Sequence, residues 1–276
     1  MRNSKVKCLA PRTANARPSM ADLASSPLFL LVLVVSAFSL PLVFLVWIRN
    51  TARYGREPWS TVLKTFAWGA VFSVIIALVF SLVLVLTLGQ IQSLNDFFAR
   101  RFADPGTAIG VLIVAPVVEE AAKGVGARAG RRQTQSRTDG LVYGAAAGLG
   151  FSATENLIYG LAALLVPGVG ASGSLIVVAV RSFSSTFLHA SSTAVLGYGL
   201  AKSWLTGNTW VLLPFYFVAV VMHATFNLFS TLALTYGDQN DPVAETLAFL
   251  GAVTFAIVAI SIVRFKLASG RPAPSR

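Results

Sequence analysis

Between residues 27 and 263 the chain is written as long apolar runs separated by short polar connections. Runs of about 20 mostly apolar residues, the length a helix needs to cross a bilayer, fall near 27–48, 64–88, 107–127, 140–165, 174–202, 209–235 and 243–263. They are continuously apolar rather than alternating at every second residue, so they predict helices and not the strands of a barrel. The expected fold is therefore all-α, a polytopic transmembrane helical bundle of about seven spans. No internal repeat is visible, and the short Gly/Ser/Pro-rich connections leave no room for a second folded domain. The expected organisation is a disordered tail over residues 1–26, one transmembrane domain over 27–267 and a disordered tail over 268–276.

Composition supports the pattern: 55% of the residues are hydrophobic and 12% charged, against roughly 25% charged in soluble domains. A soluble enzyme is excluded on these grounds. The net charge of +11 is not a nucleic-acid footprint, because the basic residues sit in short stretches between apolar runs rather than in one patch. They mark topology instead. Arg49, Arg53 and Arg56, then Arg128, Arg131, Arg132 and Arg137, then Lys202, and finally Arg264, Lys266, Arg271 and Arg276 fall on one side. The opposite loops carry Arg100 and Arg101, nothing, and then Asp238 and Asp241. By the positive-inside rule the C-terminus is expected in the cytoplasm and the N-terminus outside, in the plasma membrane. Arg2, Lys5, Lys7, Arg12 and Arg17 conflict with an outside tail. The conflict disappears if the native chain starts at Met20, an expectation that N-terminal sequencing showing Met1 or Arg2 would overturn. The single cysteine, Cys8, excludes an internal disulfide and a cysteine-based zinc site.

Ionisable residues inside hydrocarbon cost about 2.5–3.5 kcal/mol each on insertion scales and mark function by default. Here they occupy four successive spans: Glu119, Glu120 and Lys123 in the third, Glu155 with Asn156 in the fourth, Arg181 and His189 in the fifth, His223 and Asn227 in the sixth. Counted from the cytoplasmic ends at about 1.5 Å per residue, Glu119 lies roughly 12–16 Å deep, and Glu155, His189 and His223 each lie roughly 20 Å deep. One layer can hold them all. Lys123 is one helical turn from both glutamates, and His223 and Asn227 share a face. The run Gly144-Ala145-Ala146-Ala147-Gly148-Leu149-Gly150 allows close helix packing around that layer.

Peptide hydrolysis needs an activated water, a stabiliser of the tetrahedral oxyanion and an acid for the leaving amine. Glu119, Glu120 and Glu155 are the candidate bases; His189 can orient water or shuttle a proton; His223 and Asn227 offer two donors to an oxyanion. Lys123, Asn156 and Arg181 are supporting groups. The set Glu119-Glu120-x-x-Lys123, Phe151-x-x-x-Glu155-Asn156, His189 and His223-x-x-x-Asn227 resembles the PrsW family of intramembrane proteases, relatives of the CAAX prenyl endopeptidases. The resemblance covers roughly residues 105–230. It implies a multi-pass membrane peptidase acting on a membrane-spanning protein, with the namesake branch similar in role to a protease that clips an anti-sigma factor. Compared with CAAX endopeptidases, Glu155 stands where a histidine would, and Lys123 where an arginine sits one position later, so prenylated substrates are not expected.

The family is often labelled a metalloprotease, yet no His-Glu-x-x-His is present. The expectation is a glutamate-activated water with no cofactor, and zinc held by two histidines and carboxylates is the open alternative. The same polar layer would also suit a proton-coupled transporter, which predicts inverted repeats, or a non-catalytic scaffold in which it only fixes packing. Oligomeric state is not legible.

Overall fold

The computed structural model describes residues 26–52, 55–236 and 242–270. The N-terminal tail with Met20, Arg53, Asp238 and Asp241, and residues 271–276 lie outside the described residues.

Every regular element among the described residues is a helix. In α1 (Pro27–Thr51), the Ser26 hydroxyl accepts from Phe29 N–H at 3.2 Å, and Pro27 occupies the first turn, where a missing N–H costs nothing. There follow α2 (Trp59–Leu88), α3 (Gln92–Ala99), α4 (residues 105–127), α5 (Arg137–Leu164), α6 (Gly170–Phe183), α7 (Ser185–Thr206), α8 (Leu213–Tyr236) and α9 (Pro242–Ala268). Two of them contain a π-helical turn, Gly69–Ser73 in α2 and Gly110–Val114 in α4.

All seven apolar runs are helical, and among the described residues five stretches are long and apolar enough to cross a membrane: Pro27–Thr51, Trp59–Leu88, Gly170–Thr206, Thr209–Leu232 and Val243–Ala268. The third and fourth runs, α4 and α5, hold the polar residues and much of the buried interior, so their composition answers to protein rather than lipid. The fifth run, expected at 174–202, extends over 170–206 and is broken at Ser184, whose φ of −104° and ψ of −74° depart from helical values. Neither that break nor the π turns nor α3 follows from hydropathy.

α5 is the central helix, with Gly140 through Ala153 buried without exception. Its glycines explain why. A Cβ on Gly140, Gly144 or Gly148 would strike the carbonyls of Gly197, Thr193 and His189 on α7, so one stripe at a spacing of four lets the two backbones touch. On the opposite face Gly150 meets the Phe66 carbonyl of α2, and Gly69 of α2 meets Ala147. Thr154 Oγ1 adds a hydrogen bond of 2.7 Å to the Ala70 carbonyl inside the π turn. Beyond Val74 the contact between α2 and α5 thins and the helices diverge. There α2 turns an apolar surface outward, with Leu78, Val79, Phe80, Leu82, Val83 and Leu86 each more than half exposed. Such a belt is unsuited to water and suited to acyl chains.

Candidate active site

The site lies where α4, α5, α7 and α8 converge. Lys123 of α4 is wholly buried, and its ammonium reaches three acceptors: Glu119 Oε2 at 3.1 Å, Glu120 Oε1 at 3.0 Å and His189 Nδ1 at 2.8 Å. An ammonium has three N–H bonds and no lone pair, so Lys123 is saturated, and His189 Nδ1 must be the accepting nitrogen. The ring of Phe151 lies 4.3 Å from the ammonium and closes its remaining side.

The paired glutamates differ sharply. Glu120 is sealed: its Oε1 takes the Ser192 hydroxyl at 3.0 Å and His223 Nδ1 at 3.0 Å besides Lys123, and its Oε2 takes the Thr193 hydroxyl at 3.0 Å. Glu119 keeps 12% of its side chain exposed and borders a cavity of about 340 Å³. With Nδ1 turned to a carboxylate, which can only accept, His223 carries a proton there, and its neutral form presents a bare Nε2, 3.8 Å from Glu119 Oε2. The two imidazoles meet edge to face at 5.0 Å.

Glu155 of α5 completes the ring of charges. Its Oε2 lies 2.8 Å from both Arg181 Nη2 and His189 Nε2, but neither N–H is aligned on it, and the oxygen is buried without a hydrogen bond, as is Arg181 Nε. The Arg181 guanidinium also stacks on Tyr159 at 3.7 Å. Three carboxylates therefore face two permanent cations, Lys123 and Arg181, which leaves one negative charge for a bound proton or metal ion.

Of the residues expected from sequence, Glu119, Glu120, Lys123, Glu155, Arg181, His189 and His223 come together here. Asn156 points elsewhere, its amide donating to Ser182 Oγ at 3.3 Å and Thr186 Oγ1 at 3.2 Å, where it ties α5 to the α6–α7 break. Asn227 donates to the Val111 carbonyl at 2.9 Å. The reason lies in the π turn: Ala115 N–H bonds Gly110 O, five residues back, so the next donor due, for Val111 O, is residue 116, a proline with no N–H. Asn227 supplies that missing donor. Ser192 and Thr193 were not expected; their signal was a spacing of three and four residues from His189, which places them on its helix face.

Glu119, His189 and His223 can each bring one ligand atom within 4.8 Å of the others. Nitrogen and oxygen donors of this kind suit zinc, His223 Nε2 is oriented by a carboxylate behind its ring, and His189 would join through Nε2 with its ring proton moved to Nδ1 and the Lys123 ammonium turned from that nitrogen. The residues present thus fit a divalent metal.

Buried carboxylates, histidines and a cavity reaching them make a candidate site for hydrolysis inside a helical membrane protein. Residues 57–262 match the model of the PrsW family, described as intramembrane metalloproteases, and the chain belongs to that family and is a membrane-integral peptidase. It is similar to Protease PrsW of Clostridioides difficile (strain 630), with 27% identity over 193 residues covering 67% of this chain and 74% of that protein. No solved structure matches.

Proposed function

We propose that the protein is an intramembrane endopeptidase that hydrolyses a peptide bond in or near the membrane-spanning segment of a protein substrate, with Glu119 as general base. The observation that carries this reading is the asymmetry of the pair: Glu120 is spent on four donors, whereas Glu119 borders the cavity beside a bare imidazole nitrogen. A water between Glu119 and His223 Nε2 gives its proton to Glu119 as its oxygen bonds the scissile carbonyl carbon. The C–N bond then breaks, and the departing amine takes that proton from Glu119. His189 Nε2–H and Arg181 Nε–H, neither of them held in an aligned hydrogen bond, are the donors for the oxyanion. Glu120 is a positioning residue that fixes the tautomer of His223.

A metal-assisted version is favoured by the Glu119, His189, His223 cluster. A divalent metal bound there would polarise the scissile carbonyl and acidify a bound water. The surrounding residues keep their roles: Glu120 orients His223, and Lys123 offsets the carboxylates.

The substrates to try first are single-span proteins, including anti-sigma-type regulators. The Arg and Lys distribution supports a cytoplasmic C-terminus, which labelling of a cysteine introduced at Ser269 by an impermeant thiol reagent from each side would test. The deciding experiment is cleavage of single-span reporters by purified protein in lipid. Glu119→Gln should lower kcat by about 10²–10⁴-fold, the usual worth of a general base, with thermal stability little changed. Full activity in that variant would overturn the assignment. Activity removed by a chelator and restored by zinc selects the metal-assisted version, and activity indifferent to chelation selects glutamate alone.

A further inference from the structure

The cavity beside Glu119 has an outer end that the chemistry above does not use. It forms where α2 and α5 part beyond Val74. Glu119 and Glu155 lie at its inner end with Phe151, and its mouth is bordered by Leu78 and Ser81 of α2 and by Ile158, Tyr159 and Ala162 of α5. Leu78 is 58% exposed, Ile158 37% and Tyr159 46%, and Leu78 continues into the outward apolar belt of α2. The opening is therefore sideways, toward lipid.

We propose that this cavity is the substrate's entry and specificity site: it admits an unwound stretch of a transmembrane segment from the bilayer and holds a large apolar side chain next to the scissile bond. The inference rests on the peptidase reading and names its substrate more closely.

Three observations carry it. The walls are apolar apart from Ser81, Tyr159 and the two carboxylates, so an occupant arriving through lipid must be apolar where it meets α2. Continuity with the reacting groups is direct, because Glu119 is both a wall of the cavity and the proposed base. The occupant must therefore carry a peptide bond at its inner end, which a lipid tail does not. The volume of about 340 Å³ falls at the lower end of the roughly 300–1,000 Å³ of pockets that enclose small ligands. It suits a side chain with its adjoining backbone, not an intact helix about 10 Å across. Unwinding at this depth is tolerated because the freed backbone lines a protein cavity rather than lipid.

The site makes a directional prediction. In lipid nanodiscs, a reporter series carrying Leu, Ala or Asp at the residue preceding the cut should be cleaved by the wild-type protein in the order Leu, Ala, Asp. Ala162→Phe, which narrows the mouth, should lower kcat/KM for the Leu reporter by about 10–200-fold, the range a changed apolar pocket commands, chiefly through KM. Cleavage of the Ala reporter should fall less than that of the Leu reporter. Leu78→Ala widens the mouth and should favour a Phe reporter over Leu. A cysteine at Leu78 should form a disulfide with one placed in the reporter's transmembrane segment. Equal effects on every reporter, no effect, or no cross-link would overturn the entry site while wild-type cleavage still upheld the peptidase. A co-purifying lipid displaced by Ala162→Phe with cleavage unaltered would also overturn it and assign the cavity to lipid. Absence of cleavage by the wild-type protein on the whole series would count against the peptidase reading itself.

Discussion

Two buried carboxylate sites in this molecule are stabilised in opposite ways. At the centre of the bundle, Glu119, Glu120 and Glu155 are met by Lys123, Arg181 and two histidines. In the connection between α1 and α2, Glu57 is also buried, but its carboxylate is met by the phenol of Tyr143. The nearby Arg49 is used otherwise, donating to the Glu57 backbone carbonyl at 2.7 Å and stacking on Trp59 at 4.3 Å. Desolvation therefore dominates at Glu57 and raises its pKa to about 7. The two sites differ in what meets the buried charge, fixed cations at the one and a neutral phenol at the other.

The largest expected effect comes from removing the cation. Lys123→Met strips three acceptors of one donor and leaves carboxylates buried without compensation, a defect worth about 3–5 kcal/mol. A large fall in thermal stability together with complete loss of cleavage is expected, and a stable, active variant would show that the charges are balanced in another way.

A smaller and more specific effect is expected at Asn227. Asn227→Leu leaves the Val111 carbonyl without a donor, at a cost of about 1–3 kcal/mol, and loosens the helix that carries Glu119. Pro116→Ala restores an N–H at the position where the π turn requires one. The double variant should recover stability and activity relative to Asn227→Leu. If Asn227 instead served the oxyanion, stability would hold, activity would fall, and Pro116→Ala would rescue neither.

The smallest effect belongs to Glu57. Its folded pKa lies above the ordinary value of 4.5, so the folded state binds the proton more tightly than the unfolded one. That contribution is fully present below about pH 4.5 and is lost as pH rises through about 7. Glu57→Gln should flatten the decline in thermal stability across that window and leave cleavage at pH 6 unaltered. An unchanged pH profile would remove Glu57 from the account.

The spans and the polar layer were legible in the sequence because lipid imposes a simple rule: ionisable groups are costly there and must converge. That rule located Glu119, Glu155, His189 and His223. It could not distinguish Glu119 from Glu120, since adjacent residues on a helix differ only by a rotation of about 100°, and that rotation is set by how α4 packs on α7 and α8. Asn156 and Asn227 were indistinguishable from site residues because an amide serving a backbone or a hydroxyl has the same composition as one serving a substrate. Ser192 and Thr193 were obscured by an opposite difficulty, lying in a run of hydroxyl residues at 191–193 in which nothing singled out two.

The π turn at Gly110–Val114 also has a bearing on how this helix can change over generations. A π turn accommodates one residue more than the α-helical turn it replaces. Losing one residue there would let α4 close into a regular helix, but with its two halves out of phase by about 100°. Glu120 is anchored from α7 and α8, so the half before the turn would have to swing, carrying Ala108 and Ile109 out of the core. Insertions and deletions in this stretch are thus constrained by length more tightly than by side-chain identity. A chain altered there would keep every chemical group of the site while losing the alignment that makes them one.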